Sequence, residues 1–401
     1  MNQVQTISAF PNADLHQVLF GGTKHDPLLS LPRVYTYASG RAALYRGMQC
    51  LALPGDASVL VPDYHCGVEV EAITRAGLQV LFYKTGKDLS IDFTDLRQRL
   101  NRKVSVLMVI HYFGFPQPVQ EVLEFCKEHK LILIEDCAHA LYSKWQDSWL
   151  GTIGDMAVFS LQKTYAMPNG GALLLNRPDI SSPKPGRRHM ELALLKSSIR
   201  SILEHESRKS RFVGKLSQSI LKAYTSEESS DCSSQVDEYP PTYYHEPRFH
   251  YTHAIWGLSA RFMKGQDPYA IIRKRRDNYN ALGALLGDLN HHDVCTYKLP
   301  DRACPLCFPV FVPKRDEIVR ELHNRGVYTF VFGRSPHPAL NVEEHPESHF
   351  LSDSQLGLPV HQQLTDDDMI IVAETFRQTL RLSKKVTTLK TTQKRDAKMV
   401  D

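Results

Sequence analysis

Six short apolar runs, interspersed with helical stretches, dominate the first half of the chain and leave it few ways to fold. They are Val59–Val61, Val80–Tyr83, Val104–Ile110, Leu131–Glu135, Ala157–Leu161 and Gly171–Leu175. Arg41–Leu53, Gly67–Ala76 and Pro118–His129 carry the helical signals. Runs that are apolar at every position, rather than at every second one, need cover on both faces. They predict an α/β fold with a mostly parallel sheet between helices. In such sheets ligand chemistry gathers at the carboxyl ends of the strands.

The pattern breaks near residue 181. Pro183–Gly186 reads as a linker, Met190–Tyr224 as a helical region rich in Lys, Arg and Ser, and Ser226–Pro241 as a polar, mobile loop. Beyond Pro268 a helix (Tyr269–Leu286) leads to a second, smaller α/β unit with a strand at Cys304–Val312 and a helix at Lys314–Arg325. Thr365 and Asp368 have the spacing of a capping box that opens a last helix, Asp366–Leu382. The expected division is a large domain over 1–180, an insertion over 181–250, linking helices over 251–290 and a small C-terminal α/β domain over 291–383. A basic tail over 384–401 is expected to be disordered.

Composition narrows the function. Of the 401 residues, 42% are apolar and 23% charged, which suits a soluble globular chain. No apolar run approaches the roughly 18 residues of a membrane span. The opening MNQVQTISAFPNADLHQ has no basic head followed by an apolar stretch, so a cytoplasmic protein is expected. The net charge of +4 is matched by the tail from Lys384 onward, leaving a near-neutral body that does not suit nucleic acid. The single CxxC, Cys304–Cys307, has neither a second pair nor a His pair at ligand spacing, so no metal is expected.

Three segments carry candidate chemistry. The run LILIEDCAHA ends a buried strand on two acids, Glu135 and Asp136. Buried carboxylates are costly unless offset. Either they form a helix cap or structural ion pair, or one of them meets the cationic ring nitrogen of a cofactor. In AVFSLQKTYAMPNGGALLL, Lys163 follows a strand's carboxyl end. A lone lysine there is ordinarily a surface residue, but paired with Asp136 it fits a pyridoxal phosphate site, Lys as Schiff base and Asp on the ring nitrogen. In YASGRAAL, Ser39 and Gly40 precede a helix whose free N–H groups would face an anion.

Taken in order, these segments resemble the DegT/DnrJ/EryC1/StrS aminotransferases, fold-type-I pyridoxal phosphate enzymes. SGRAAL resembles that family's SGTxAL, and LPGDASVLVPDYHC its pGDEVivP stretch. HYFG resembles H-x-x-G, IEDCAHA resembles IEDxAxA, and GTIGDMAVFSLQK with NGGALL resembles G-x-x-GD-x-x-xFS…K…GG. GLPVHQQLTDDDM resembles LPxHxxLtxxD. The resemblance implies pyridoxal 5′-phosphate as cofactor, with Lys163 and Asp136 catalytic. It implies Ser39, Gly40 and Arg41 on the phosphate, helped by Ser160, with His139 beside the ring and His65 stacked on it. Arg248 and His361 are implied as substrate residues. It further implies transfer of an amino group from an amino acid, glutamate first, to a nucleotide-linked keto-sugar by a homodimer. A related dehydratase or epimerase, or a binding protein without turnover, are the alternatives.

The chain departs from that pattern in three places. Ser160 lies three residues before Lys163 where five is commoner, Asn169 replaces the acid before Gly-Gly, and Glu246-Pro247-Arg248 stands where an N-Y-R segment is usual.

Overall fold

The computed structural model describes residues 6–14, 16, 20–187, 192–209, 251–289 and 295–397. Seven strands form the central sheet: β1 (Val34–Tyr37), β2 (Ser58–Pro62), β3 (Gln79–Tyr83), β4 (Val104–Ile110), β5 (Ile132–Asp136), β6 (Met156–Ser160) and β7 (Gly171–Leu175). Their spatial order is β1-β7-β6-β5-β4-β2-β3. The five strands from β3 to β6 pair in parallel, whereas β7 and β1 pair antiparallel at one edge. The six apolar runs are the six strands β2–β7. The edge strand β1, VYTY, has too few apolar residues to show in the sequence.

Helices cover the sheet because its strands are buried on both sides. α1 (Gly40–Cys50) and α2 (Val68–Arg75) close one face, where Ala42, Ala43, Met48 and Ile73 pack on Val59, Met108, Ile134 and Leu173. α3 (Phe93–Gln98) and α4 (Val119–His129) bring Leu96, Val122 and Phe125 to the other face, against Leu60, Leu107 and Leu133. After α5 (Leu192–Lys209) and α6 (Gly257–Lys264), the long α7 (Pro268–Leu286) starts on an Asp267 cap and reaches the small domain. There a three-stranded antiparallel sheet, β8 (Cys295–Thr296), β9 (Cys307–Phe311) and β10 (Gln355–Pro359), packs with α8 (Arg315–Asn324), α9 (Pro346–Ser354) and α10 (Asp366–Ala397).

Two boundaries differ from the expectation. Ile7 is fully buried in the small-domain core and bridges Val327, so the N-terminal segment belongs to the small domain rather than to the large one. The last helix does not stop at Leu382: α10 runs to Ala397, through most of the basic tail expected to be disordered. It opens on the Thr365–Asp368 capping box, in which the Thr365 N–H donates to Asp368 at 2.8 Å. Residues 383–397 contain neither Gly nor Pro, and a helix once nucleated propagates at little cost. Most of the 181–250 insertion, including Ser226–Pro241, lies outside the described residues. No helix among the described residues is long and apolar enough to cross a membrane.

Candidate functional site

The carboxyl ends of β5 and β6 set the site. Asp136 is the last residue of β5, in register with Val158 on β6, and its Oδ1 accepts the Ala138 N–H at 2.8 Å. It is 4% exposed. Burial, and then the neighbouring Glu69 carboxylate, push its carboxyl up to about 7 against the opposing pull of the Ala138 N–H and of Lys163. β6 ends at Ser160, and a 3-10 turn over Leu161–Lys163 delivers the lysine. Its Nζ lies 5.5 Å above the centre of the Phe330 ring, within cation–π reach.

Glu135, one position back, does different work. Its oxygens accept His111 Nε2 at 3.1 Å and the backbone N–H groups of Gly151, Ile153 and Gly154 at 2.6–2.9 Å. Burial alone would raise its carboxyl, but these donors outweigh it and hold it below the usual range. His111, Glu135 and Cys137 come close enough to share a cation, but four N–H groups already occupy the Glu135 oxygens.

Ser39 caps α1, its hydroxyl oxygen accepting the Ala42 N–H at 3.2 Å, so the donors turned to a ligand there are the Ser39 O–H and the backbone N–H groups of the first turn. The turn is pressed against the strand ends. A Cβ on Gly171 would come within 2.3 Å of the Ser39 and Gly40 backbone, and one on Gly40 would lie 3.3 Å from the Phe159 carbonyl. Ser39, Gly40 and Ser160 therefore come together at the ends of β6 and β7. Arg41 is buried and pairs with Glu71 at 3.3 Å.

The two histidines differ in their surroundings. His139 accepts the Phe113 N–H on Nδ1 at 3.4 Å and packs against Phe113, Phe330 and Phe332. Burial, then the Lys163 charge, keep it neutral, and its buried Nε2 has no hydrogen-bond partner among the described residues. His65 accepts the Gly67 N–H at 2.9 Å and lies parallel to Phe82 at 5.2 Å. The face expected to stack on a cofactor ring thus meets Phe82 on one side. The neighbour that feels the Lys163 charge is Cys66, whose thiol donates to Glu69 at 3.2 Å.

His361 does not join this group. It is fully buried and its Nε2 lies 3.1 Å from the Ser8 carbonyl, so it ties the N-terminal segment to the small domain. Arg248 lies outside the described residues. The sequence missed Glu69, Phe330 and Phe332: an acid in a helix and two aromatics in a small-domain segment have no local signature.

These residues fit a phosphorylated pyridine carrying a carbonyl. Asp136 is an acid raised by burial and by Glu69, His139 offers an unpartnered N–H, α1 offers an anion-binding end, and Lys163 supplies the amine.

Comparison with known proteins agrees in fold. Residues 29–183 match the family model described as the DegT/DnrJ/EryC1/StrS aminotransferase family. The chain is 29% identical over 157 residues to a GDP-perosamine synthase of Vibrio cholerae, covering 38% of this chain and 43% of that one. It is 31% identical over 147 residues to a dTDP-4-dehydro-2,3,6-trideoxy-D-glucose 4-aminotransferase of Saccharopolyspora spinosa, covering 36% and 38%. The matches thus span about two fifths of the length of these curated relatives. Among solved structures, DesI in the presence of its TDP-sugar product superimposes with a TM-score of 0.67 at 17% identity, covering 96% and 95%. The PMP-form of the sugar aminotransferase Spr1654 from Streptococcus pneumoniae gives 0.66 at 16% identity, covering 96% and 100%. The chain has the fold of these solved structures.

Proposed function

Because residues 29–183 match the model of the DegT/DnrJ/EryC1/StrS aminotransferase family, we propose that this chain is a pyridoxal-phosphate-dependent aminotransferase of that family. It moves an amino group from an amino acid, glutamate first, to a nucleotide-linked keto-sugar. The observation that carries this reading is the buried Asp136, raised toward neutrality, in electrostatic reach of a lysine at the end of the next strand.

The cofactor, when bound, supplies an electron sink and a carbon that carries the amino group. The chain's own residues do the rest. Asp136 holds a proton on the ring nitrogen through a charge-assisted hydrogen bond. The first-turn N–H groups at Gly40 and Arg41, with Ser160, bind the phosphate. His139 Nε2 donates to an oxygen of the ring system. Lys163 Nζ would anchor the cofactor, and its amine would take up the proton from the donor's Cα. Phe330, Phe332 and Phe113 exclude water from that proton's path.

The partner is a second copy of the chain, with the site near the shared face. Light scattering with cofactor bound tests this, and a fully active monomer at micromolar concentration overturns it. The reaction itself is tested by spectrum. Protein loaded with pyridoxal phosphate should absorb in the visible, lose that band on adding glutamate, and regain it on adding a nucleotide-linked keto-sugar. A band that no amino donor bleaches would favour a binding protein without turnover.

A further inference from the structure

Arg275, on α7, is 1% exposed and uses every donor it has. A guanidinium carries five N–H groups in a rigid fork. Here Nε donates to Gln362 Oε1 at 3.0 Å. Nη1 donates to the Pro305 and Leu306 carbonyls at 3.1 and 3.3 Å. Nη2 donates to the Lys163 and Thr164 carbonyls at 3.2 and 3.3 Å. None of these five acceptors is a carboxylate. A buried charge held by carbonyls and an amide alone is a costly way to fill space, and an apolar side chain would fill it at lower cost. What the fork provides is geometry, since it joins three segments: the lysine turn, the loop before β9 and the segment after β10.

The remaining contacts of that turn lead the same way. Gln362 also donates to the Thr164 carbonyl at 3.0 Å, and Gln266 accepts the Ala166 N–H at 3.2 Å. The Tyr165 hydroxyl donates to Asp26, beside that of Tyr142. The backbone of 163–166 is therefore held by side chains from other elements, with Arg275 at the centre.

We infer that Arg275 is a positioning residue for Lys163: it clamps the lysine's own peptide carbonyl to the small domain and so sets where Nζ meets the cofactor. The inference rests on the function proposed above.

Borohydride trapping on the full chain with pyridoxal phosphate tests it, with the product located by peptide mapping. Non-covalent uptake is measured alongside by rapid dialysis, and amide exchange of residues 161–167 is followed in the cofactor-free chain. In Arg275→Lys, three donors without the fork replace five. The rate of trapping at Lys163 should fall roughly 10²-fold, the scale of an ångström of misplacement. Uptake should change little, and exchange at 163–166 should accelerate. A merely structural role would lower uptake and thermal stability together and leave trapping per bound cofactor unchanged, and that result overturns the inference. Should Arg275→Lys not fold, Gln362→Leu decides, because it removes the Nε acceptor and one donor to Thr164. Slower trapping at unchanged uptake supports the clamp, and wild-type trapping overturns it. A wild-type chain that is never labelled at Lys163 overturns the proposed function and this inference with it. A labelled wild type with equally labelled variants overturns this inference alone.

Discussion

Glu135 and Asp136 are chain neighbours at the end of one strand, yet they occupy opposite electrostatic regions. Side chains alternate across a sheet, so consecutive acids leave by different faces. Glu135 enters a pocket lined with donors, where His111 and three loop N–H groups hold it ionised and it fixes the 151–154 loop. Asp136 enters one that supplies a single backbone donor and a second acid, Glu69, where ionisation is disfavoured. A carboxylate satisfied by its own chain is finished structurally. One that burial keeps raised against a single backbone donor and the Lys163 charge is available to a ligand. Of the two readings open for this acid pair from sequence, Glu135 shows the structural one, and Asp136 is the acid we propose for the other.

The largest effect should come from the ligand side. Lys163→Ala should abolish borohydride labelling altogether, and a label on another lysine in the wild type would break the assignment. Next comes Glu135→Ala, which strands His111 and three loop N–H groups. Breaking a buried, hydrogen-bonded pair costs about 3–5 kcal/mol, measurable by denaturant unfolding. A loss below about 1 kcal/mol would mean the loop has other support.

Asp136→Asn should behave in the opposite way. Turnover should drop by one to two orders of magnitude, from a lost charge-assisted bond of about 1.5–3 kcal/mol, while the cofactor-free fold gains stability at high pH. The sign follows from the raised carboxyl. In the wild type, the stability tied to the protonated acid is complete below its unfolded value near 4 and is lost as pH rises through about 7. The asparagine has nothing to ionise. Melting at pH 8 should therefore favour the variant, and the gap should narrow at pH 5. A variant less stable at both pH values would contradict the picture. The smallest effect belongs to Glu69→Gln. Removing that charge should move the pH midpoint of cofactor uptake downward, and an unmoved midpoint would show that Glu69 does not act on Asp136.

The continuous apolar runs, separated by helices, determined the sheet, since strands apolar at every position need cover on both faces. Short motifs at strand ends determined where Ser39, Gly40, Asp136 and Lys163 would stand, because backbone geometry and a one-residue alternation place them locally. The edge strand β1 and the placement of Ile7 were not legible, because each depends on a partner far away in the chain. The same holds for the wall of the site. Phe330 and Phe332 meet His139 across nearly 200 residues, Arg275 reaches the Lys163 carbonyl across 112, and His361 turns to Ser8 across 353. The sequence by itself determined which chemistry the strand ends could hold. Only the tertiary structure decided which acid was left with a single backbone donor and what holds the lysine in place, because burial and hydrogen-bond supply are properties of the assembled surroundings, not of the residue.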